Sequence, residues 1–290
     1  MDARQCGIIR LLFPWMTYLT VSDAFRAGGR FTKYAIHVYR SGFPMNIALV
    51  GTGQMGQAVA ALAPERGHEI VARFDSDQPL GNAAPEALAA ADVAVDFSVP
   101  AVALEHVRRY CTWQQPAVVG TTGWYDALDD VRDWVTDHDA ALLYAPNFSL
   151  GIAVLKRALD SVAPLVDAIP DFDAYVQEVH HTHKVDSPSG TAAMLAQGLV
   201  DKIARKSYVE TDTQHQRIDP EAVHVTSTRA GDAFGEHTVG FDSAFDRVEL
   251  SHRAKGRRGF ALGALRSAEW LVGRTGLYTL DDVLDDWLDG

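Results

Sequence analysis

Three histidines and a lysine crowd one short stretch of the chain, Glu178-Val-His180-His181-Thr-His183-Lys184-Val-Asp186-Ser-Pro-Ser-Gly190-Thr191. Side chains of these types can hold an anion or ligate a metal ion. Their flanks indicate how they are held. Residues 174–179 mix β-branched, aromatic and apolar side chains and read as a strand. Asp186 to Gly190 is turn chemistry, and Thr191 opens a helical run, AAMLAQGLVDKIA. The cationic cluster therefore lies beside a helix N-terminus, whose unpaired backbone N–H groups favour anions. This combination suits a small molecule carrying carboxylates.

Two plainer readings compete with it. His180, His181 and His183 could bind a metal, and on an extended strand His181 and His183 would share a face. Lys184 opposes this, because a fixed ammonium repels a cation, and no cysteine or second histidine pair completes a ligand set. The other alternative is a solvated polar loop. On these residues alone, loop and site are evenly balanced.

The elements that must position the cluster follow from the rest of the chain. Its 290 residues, 47% hydrophobic and 22% charged, allow one large or two medium domains with ample core. No run approaches the ~18 apolar residues of a membrane span. Two cysteines, Cys6 and Cys111, give no disulfide framework and fit a reducing cytoplasm. The net charge is −12, yet the first 44 residues hold six basic and two acidic side chains, so the acidic surplus lies in the body. An acidic body argues against nucleic-acid or anionic-membrane partners and leaves the capture of an anionic substrate to local groups. Residues 1–44 lack periodicity and capping logic. A transit peptide fits poorly, since Gly, Pro and aromatic residues spoil an amphipathic helix. They are expected to be a disordered or non-native extension ahead of Met45.

From Met45 the pattern is regular. Asn46–Val50 reads as a strand, followed by Gly51-Thr-Gly53-Gln54-Met55-Gly56 and a helical run. A second strand, 68–74, ends at Asp75, about 20 residues beyond the last glycine, where an acid is placed for ribose hydroxyls. An ordinary turn would not need that second strand and its acid. A short helix over 84–91 and a buried strand over 93–97 come next, ending in Asp96-Phe-Ser-Val-Pro100. Pro100 suits the first position of a helix. Strand 117–119 leads into Gly120-Thr121-Thr122-Gly123 and a helix through Trp134. Strand 140–144 leads into Ala145-Pro-Asn147-Phe148-Ser149, with Ser149 as a plausible N-cap. Strand–helix alternation of this kind predicts an α/β, doubly wound parallel sheet. Beyond Phe172 longer strands (172–180, 222–229, 236–243 and 247–252) predict a mixed or antiparallel sheet with the helix 191–205 on one face. Residues 206–220 read as a polar connection, 261–273 as an apolar helix, and 280–288 as a short acidic helix on the first domain.

The string HHTHKVDSPSGT closely resembles the signature of the dihydrodipicolinate reductases, and its companion motifs appear in that family's order across most of residues 45–290. The resemblance implies a two-domain, NAD(P)H-dependent oxidoreductase of lysine and diaminopimelate biosynthesis. Residues 45–149 with 256–290 would form a Rossmann-type dinucleotide-binding domain, and 150–255 a domain that binds the substrate and oligomerises. By resemblance His180 is the acid and Lys184 its catalytic partner, while His181, Lys184, Gly190 and Thr191 hold the substrate carboxylates. Gly51, Gly53, Gln54, Met55, Gly56 and Asp75 would carry the dinucleotide. Gly120, Thr121, Thr122, Ala145, Asn147 and Phe148 would approach its nicotinamide. Arg257 would stand on the active-site side of the hinge. The family also implies a cytoplasmic homotetramer without a metal. Glu236 and His237, as sheet-edge or interface positions, need no chemical role.

Two departures bear on the cofactor. The family's commoner glycine loop is one residue longer and contains an arginine, and many relatives carry a basic residue where Ser76 and Asp77 follow Asp75. Both differences favour NADH over NADPH. Other amino-acid or sugar dehydrogenases would share Gly51–Gly56 but have no reason to carry HHTHKVDSPSGT. A nicotinamide-binding regulator could dispense with His180 and Lys184.

Overall fold

The computed structural model describes residues 43–289, so the expectation for the N-terminal leader lies outside the described residues. These residues form two compact units, one comprising 43–52, 60–144 and 265–289, the other 53–59 and 145–264.

The first unit holds a six-stranded, all-parallel sheet. Its strands are β1 (Asn46–Val50), β2 (Glu69–Phe74), β3 (Val93–Asp96), β4 (Ala117–Val119), β5 (Ala141–Tyr144) and β11 (Gly276–Thr279), in the order β11-β5-β4-β3-β1-β2. A parallel sheet covered on both faces needs strands apolar throughout, and β1 and β3 are such runs, with Ile47, Leu49, Val93 and Val95 fully buried. Helices α2 (Pro100–Thr112) and α3 (Leu128–Asp137) contribute Val107, Cys111 and Val131 to this core, and α7 (Leu280–Asp289) contacts β11. Pro100 opens α2 as expected.

Two details differ from the sequence reading. Between β2 and β3 the chain makes only short 3-10 turns, Leu80–Asn82 and Pro85–Leu88, where a helix was expected over 84–91. From Pro85 to Ala91 the stretch is only about two turns long, too short to repay helix nucleation. The strand β11, which pairs in parallel with β5, went unread because four residues carry no usable period.

In the second unit a five-stranded mixed sheet runs in the order β10-β9-β6-β8-β7, from β6 (Asp173–His180), β7 (Tyr208–Glu210), β8 (Ala222–Arg229), β9 (Glu236–Asp242) and β10 (Arg247–Arg253). The stretch read as a polar connection thus contains the short strand β7. Strand β6 lies antiparallel to β9 and parallel to β8. Helices α4 (Leu150–Asp167) and α5 (Gly190–Val200) share a core with Ala174, Val176, Val225, Val239 and Phe241. Burying one such aliphatic side chain contributes roughly 1.5–3 kcal/mol, so the register of β6 is firmly set. Ala174, Val176, Glu178 and His180 alternate onto the buried face of β6, so the core face ends in a carboxylate and an imidazole. Helix α6 (Arg258–Leu271) follows β10. Among the described residues no helix is long and apolar enough to cross a membrane.

Candidate active site

The histidine stretch leaves the sheet at the end of β6. His181 N–H donates to the Ala233 carbonyl at 2.8 Å and Thr182 N–H to Gly231 at 3.2 Å, which pins the start of the loop. At the far end Ser189 caps α5: its Oγ accepts from Ala192 N at 3.2 Å, while its own N–H donates to Glu178 Oε1 at 3.0 Å. Between these anchors Lys184 Nζ pairs with Asp186 Oδ1 at 2.8 Å, and His183 is exposed. The imidazoles of His181 and His183 lie 6.1 Å apart, centroid to centroid.

His180 is buried and meets Glu178 Oε2 at 2.8 Å through Nδ1. Neither of these two atoms has a hydrogen-bond partner besides this ion pair. Burial lowers the His180 pKa; Glu178 acts to raise it, whereas Lys184, Arg229 and His181 lower it further. The Glu178 carboxylate is wholly buried, and burial alone would raise its pKa, but hydrogen bonds from Ser189, Ser227 and Arg229 prevail and hold it at about 2. Arg229 Nη2 reaches Glu178 Oε1 at 2.8 Å.

His237 and His252 extend the cluster. The His237 ring stands edge-on to His180 at 5.1 Å, its Nε2 lies 3.2 Å from Ser189 Oγ, and burial with the nearby His180 pushes its pKa down to about 4. His252 lies 6.3 Å from His237 and reaches Ser149 Oγ, the cap of α4, at 3.3 Å. Backbone makes room for these rings: a Cβ on Gly151 would sit 2.6 Å from His252, and one on Gly235 (φ +134°) 2.9 Å from His180 Nε2. His237 therefore lies buried on an interior strand, not at the sheet edge that the sequence suggested. Its place beside His180 depends on the pairing of β9 with β6, which the sequence does not display.

In the same unit Asn147 Nδ2 donates to Thr191 Oγ1 at 3.0 Å, and Asn147 Oδ1 accepts from Ser149 N at 2.8 Å. A residue expected at the nicotinamide thus touches one expected at the substrate carboxylate. Phe148 is buried, and its carbonyl lies against Gly263, where a Cβ would come within 1.8 Å. Ala145 is also buried, at the start of this segment. Arg257 stacks its guanidinium over Phe234 at 5.6 Å and supplies the carbonyl that starts α6. Gly190, the first residue of α5, has open space where a Cβ would be.

The dinucleotide candidates that follow β1, β2 and β4 begin with two crowded glycines. Gly51 adopts φ +87°, and a Cβ there would meet the Phe97 carbonyl at 2.3 Å, so this turn admits glycine alone. Gly120 is equally constrained, because the Phe97 ring occupies the place of its Cβ at 2.1 Å. The chain then passes Gly53 into α1 (Gln54–Leu62), whose first turn holds Gln54, Met55 and Gly56. Asp75 is half-buried at the end of β2: Gln78 and Asp77 donate backbone N–H groups to Oδ1, Thr52 Oγ1 donates to Oδ2 at 3.2 Å, and these bonds lower its pKa. Buried Asp96 ties the neighbouring loops together. Its carboxylate accepts from Ser98 N, Thr121 Oγ1 and Tyr110 OH and contacts His106 Nδ1 at 2.9 Å. Thr121 is buried in this network, whereas Thr122 is exposed. A turn after β1 that only glycine can make and an acid at the end of β2 fit a dinucleotide.

The ligand set weighed from the sequence, His180, His181 and His183, is not what the fold gathers. Among the described residues the one grouping with metal-ligand spacing is Glu178, His180 and His237, within 4.8 Å of one another. Arg229 already occupies Glu178, and Lys184 adds a second positive charge nearby, so a divalent cation is electrostatically disfavoured.

Comparison with known proteins identifies the family. The family description "Dihydrodipicolinate reductase, N-terminus" matches residues 45–148, and "Dihydrodipicolinate reductase, C-terminus" matches 151–284. The 4-hydroxy-tetrahydrodipicolinate reductase of Christiangramia forsetii is 37% identical over 242 residues, covering 83% of this chain and 98% of the relative. That of Natronomonas pharaonis is 36% identical over 254 residues, covering 83% and 100%. A solved dipicolinate-bound dihydrodipicolinate reductase from Paenisporosarcina sp. TG-14 shares the fold with a TM-score of 0.67 at 22% identity, covering 83% of this chain and all of that one. With both halves matched and relatives covered nearly end to end, the chain belongs to the dihydrodipicolinate reductase family.

Proposed function

We propose that the protein carries out its family's reaction, the NAD(P)H-dependent reduction of 4-hydroxy-tetrahydrodipicolinate to tetrahydrodipicolinate in lysine and diaminopimelate biosynthesis. The observation that carries this reading is the pinned loop between β6 and α5, which brings His180, His181 and Lys184 to the start of a helix. NAD(P)H, when bound, supplies a hydride to the unsaturated ring. The hydroxyl group of the substrate first departs as water together with a proton from the adjacent ring carbon, which leaves the unsaturated ring, and His180 then gives the proton that balances the added hydride. Lys184 stabilises the negative charge that develops on the ring and, with His181, Gly190 N–H and the Thr191 hydroxyl, holds the carboxylates. Such a site accelerates by orientation and charge stabilisation, without a covalent intermediate. On this reading Lys184 exchanges its ion pair with Asp186 for the substrate.

Residues 45–149 with 256–290 serve the dinucleotide, and 150–255 serve substrate and assembly. Gly51, Gly53, Gln54, Met55, Gly56 and Asp75 hold the dinucleotide; Gly120, Thr121, Thr122, Ala145, Asn147 and Phe148 flank the nicotinamide, and Arg257 belongs to the hinge. NADH is the preferred cofactor. The free edge of Asp75 accepts ribose hydroxyls, while a 2′-phosphate would face Asp75 and Asp77 with only Arg73, exposed on β2, to answer it. The protein acts in the cytoplasm as a homotetramer, assembled through the sheet face of β6, β9 and β10 that carries Tyr175, Gln177 and Thr238. A coupled assay with freshly generated substrate tests the activity. We expect turnover with either nucleotide and a higher kcat/KM with NADH; equal or better kcat/KM with NADPH would refute the preference and implicate Arg73.

A further inference from the structure

The Glu178 carboxylate is the most completely enclosed charge beside the proposed acid. It sits two residues before His180 on β6, so the pleat turns both side chains to one face. Its two oxygens differ. Oε1 is satisfied by Ser189 N at 3.0 Å and Arg229 Nη2 at 2.8 Å, whereas Oε2 has no hydrogen bond and faces His180 Nδ1 at 2.8 Å. A purely structural anchor would be complete with Ser189, Ser227 and Arg229. Leaving the other oxygen buried with no hydrogen bond, beside the imidazole alone, is costly unless that bond forms in another state of the protein. A turn of the imidazole supplies that bond, and hydrogen bonds of this kind commonly align only in the reacting complex. Gly235, whose missing side chain leaves space beside His180 Nε2, and the edge-on ring of His237 bound the same imidazole from β9 and its approach.

Building on the proposed role of His180 as the acid, we infer that Glu178 is its positioning residue: it orients the ring through Nδ1 and stabilises the imidazolium, while Arg229 moderates that charge from the opposite oxygen. The charged and titratable groups facing His180 are Glu178 on its own strand, His181 and Lys184 on the following loop, Arg229 on β8 and His237 on β9, with His252 of β10 behind His237. Only Glu178 among them favours the protonated ring, so its removal and the removal of Arg229 should act in opposite directions.

The test is the pH dependence of kcat/KM, which falls with rising pH as the acid loses its proton. In Glu178→Gln this limb should move to lower pH by about one unit and kcat should fall about tenfold or more, with NADH affinity unchanged. In Arg229→Gln the limb should move to higher pH. Arg229 is partly exposed, so this variant decides the matter if Glu178→Gln does not fold. Limbs that stay in place in every folded variant, or move the same way in both, overturn the inference. His180→Gln separates it from the reading beneath it: if that variant keeps both rate and limb, the acid is another residue. Activity lost to a chelator and restored by zinc chloride alone would replace the inference with a metal centre.

Discussion

The dinucleotide cradle and the imidazole cluster solve opposite problems with opposite materials. Around Gly51, Gly120 and Phe97 the proposed recognition would rest on glycine turns, packed so closely on the Phe97 carbonyl and ring that a single methyl group cannot be added in place. Around His180 it rests on side chains, and the decisive variable is which of Glu178, His180 and His237 carries charge. The first region should be intolerant of size and indifferent to pH. The second should tolerate isosteric replacement structurally and respond strongly to ionisation.

Breaking the second region at its centre should have the largest effect. His180→Gln is expected to lower kcat by roughly 10²–10⁴, the usual contribution of a positioned acid, and Lys184→Ala by about 10²–10³ with a raised substrate KM. Steady-state kinetics on folded variants, alongside NADH titration, checks both; NADH affinity should not change, and exposed His183→Ala should stay close to wild type. Near-normal rates in both variants would remove the chemistry from this cluster.

Breaking the first region should produce the complementary result. Gly51→Ala must tolerate a positive φ and a Cβ 2.3 Å from a carbonyl, a strain of about 1–3 kcal/mol or more. We expect roughly tenfold or greater loss of NADH affinity, read by fluorescence titration, the same at pH 6 and pH 8, with little change in the affinity for a pyridine-2,6-dicarboxylate mimic. An affinity equal to wild type would show that this turn does not define the cradle.

A smaller, thermodynamic effect sharpens the contrast. His237 takes up a proton only near pH 4 when folded, against 6.5 when free, so between these values the unfolded chain binds more protons and stability declines as pH falls. The full window corresponds to a loss on the order of 3 kcal/mol. Glu178, lowered from 4.5 to about 2, continues the decline at lower pH. Melting temperatures of wild type and His237→Gln between pH 7 and pH 4 should show a flatter slope in the variant. Parallel slopes would mean that His237 titrates normally.

Much of this arrangement was legible in the chain because it is local. Ser149 before an amphipathic run announced the α4 cap, and the spacing of Gly51, Gly53, Gly56 and Asp75 announced a strand–turn–helix–strand unit. Glu178 was within reach too, since period-two geometry places it on the face of His180. Arg229 and His237 were not, because they arrive from β8 and β9 through pairings set by the packing of Val176, Val225 and Val239. The strands β7 and β11 are three and four residues long and owe their existence to a neighbouring edge rather than to their own pattern.

Ser189 joins one N–H to Glu178 and one Oγ to both the α5 cap and His237. Together with the bonds of His181 and Thr182 to the 231–233 backbone, it leaves the histidine loop tethered at each end. A loop whose ends are already fixed surrenders little conformational freedom when it closes on a ligand. The dianion would then meet a binding loop whose ordering had been completed during folding, leaving the exchange of Lys184 from Asp186 to a carboxylate as the main rearrangement of capture.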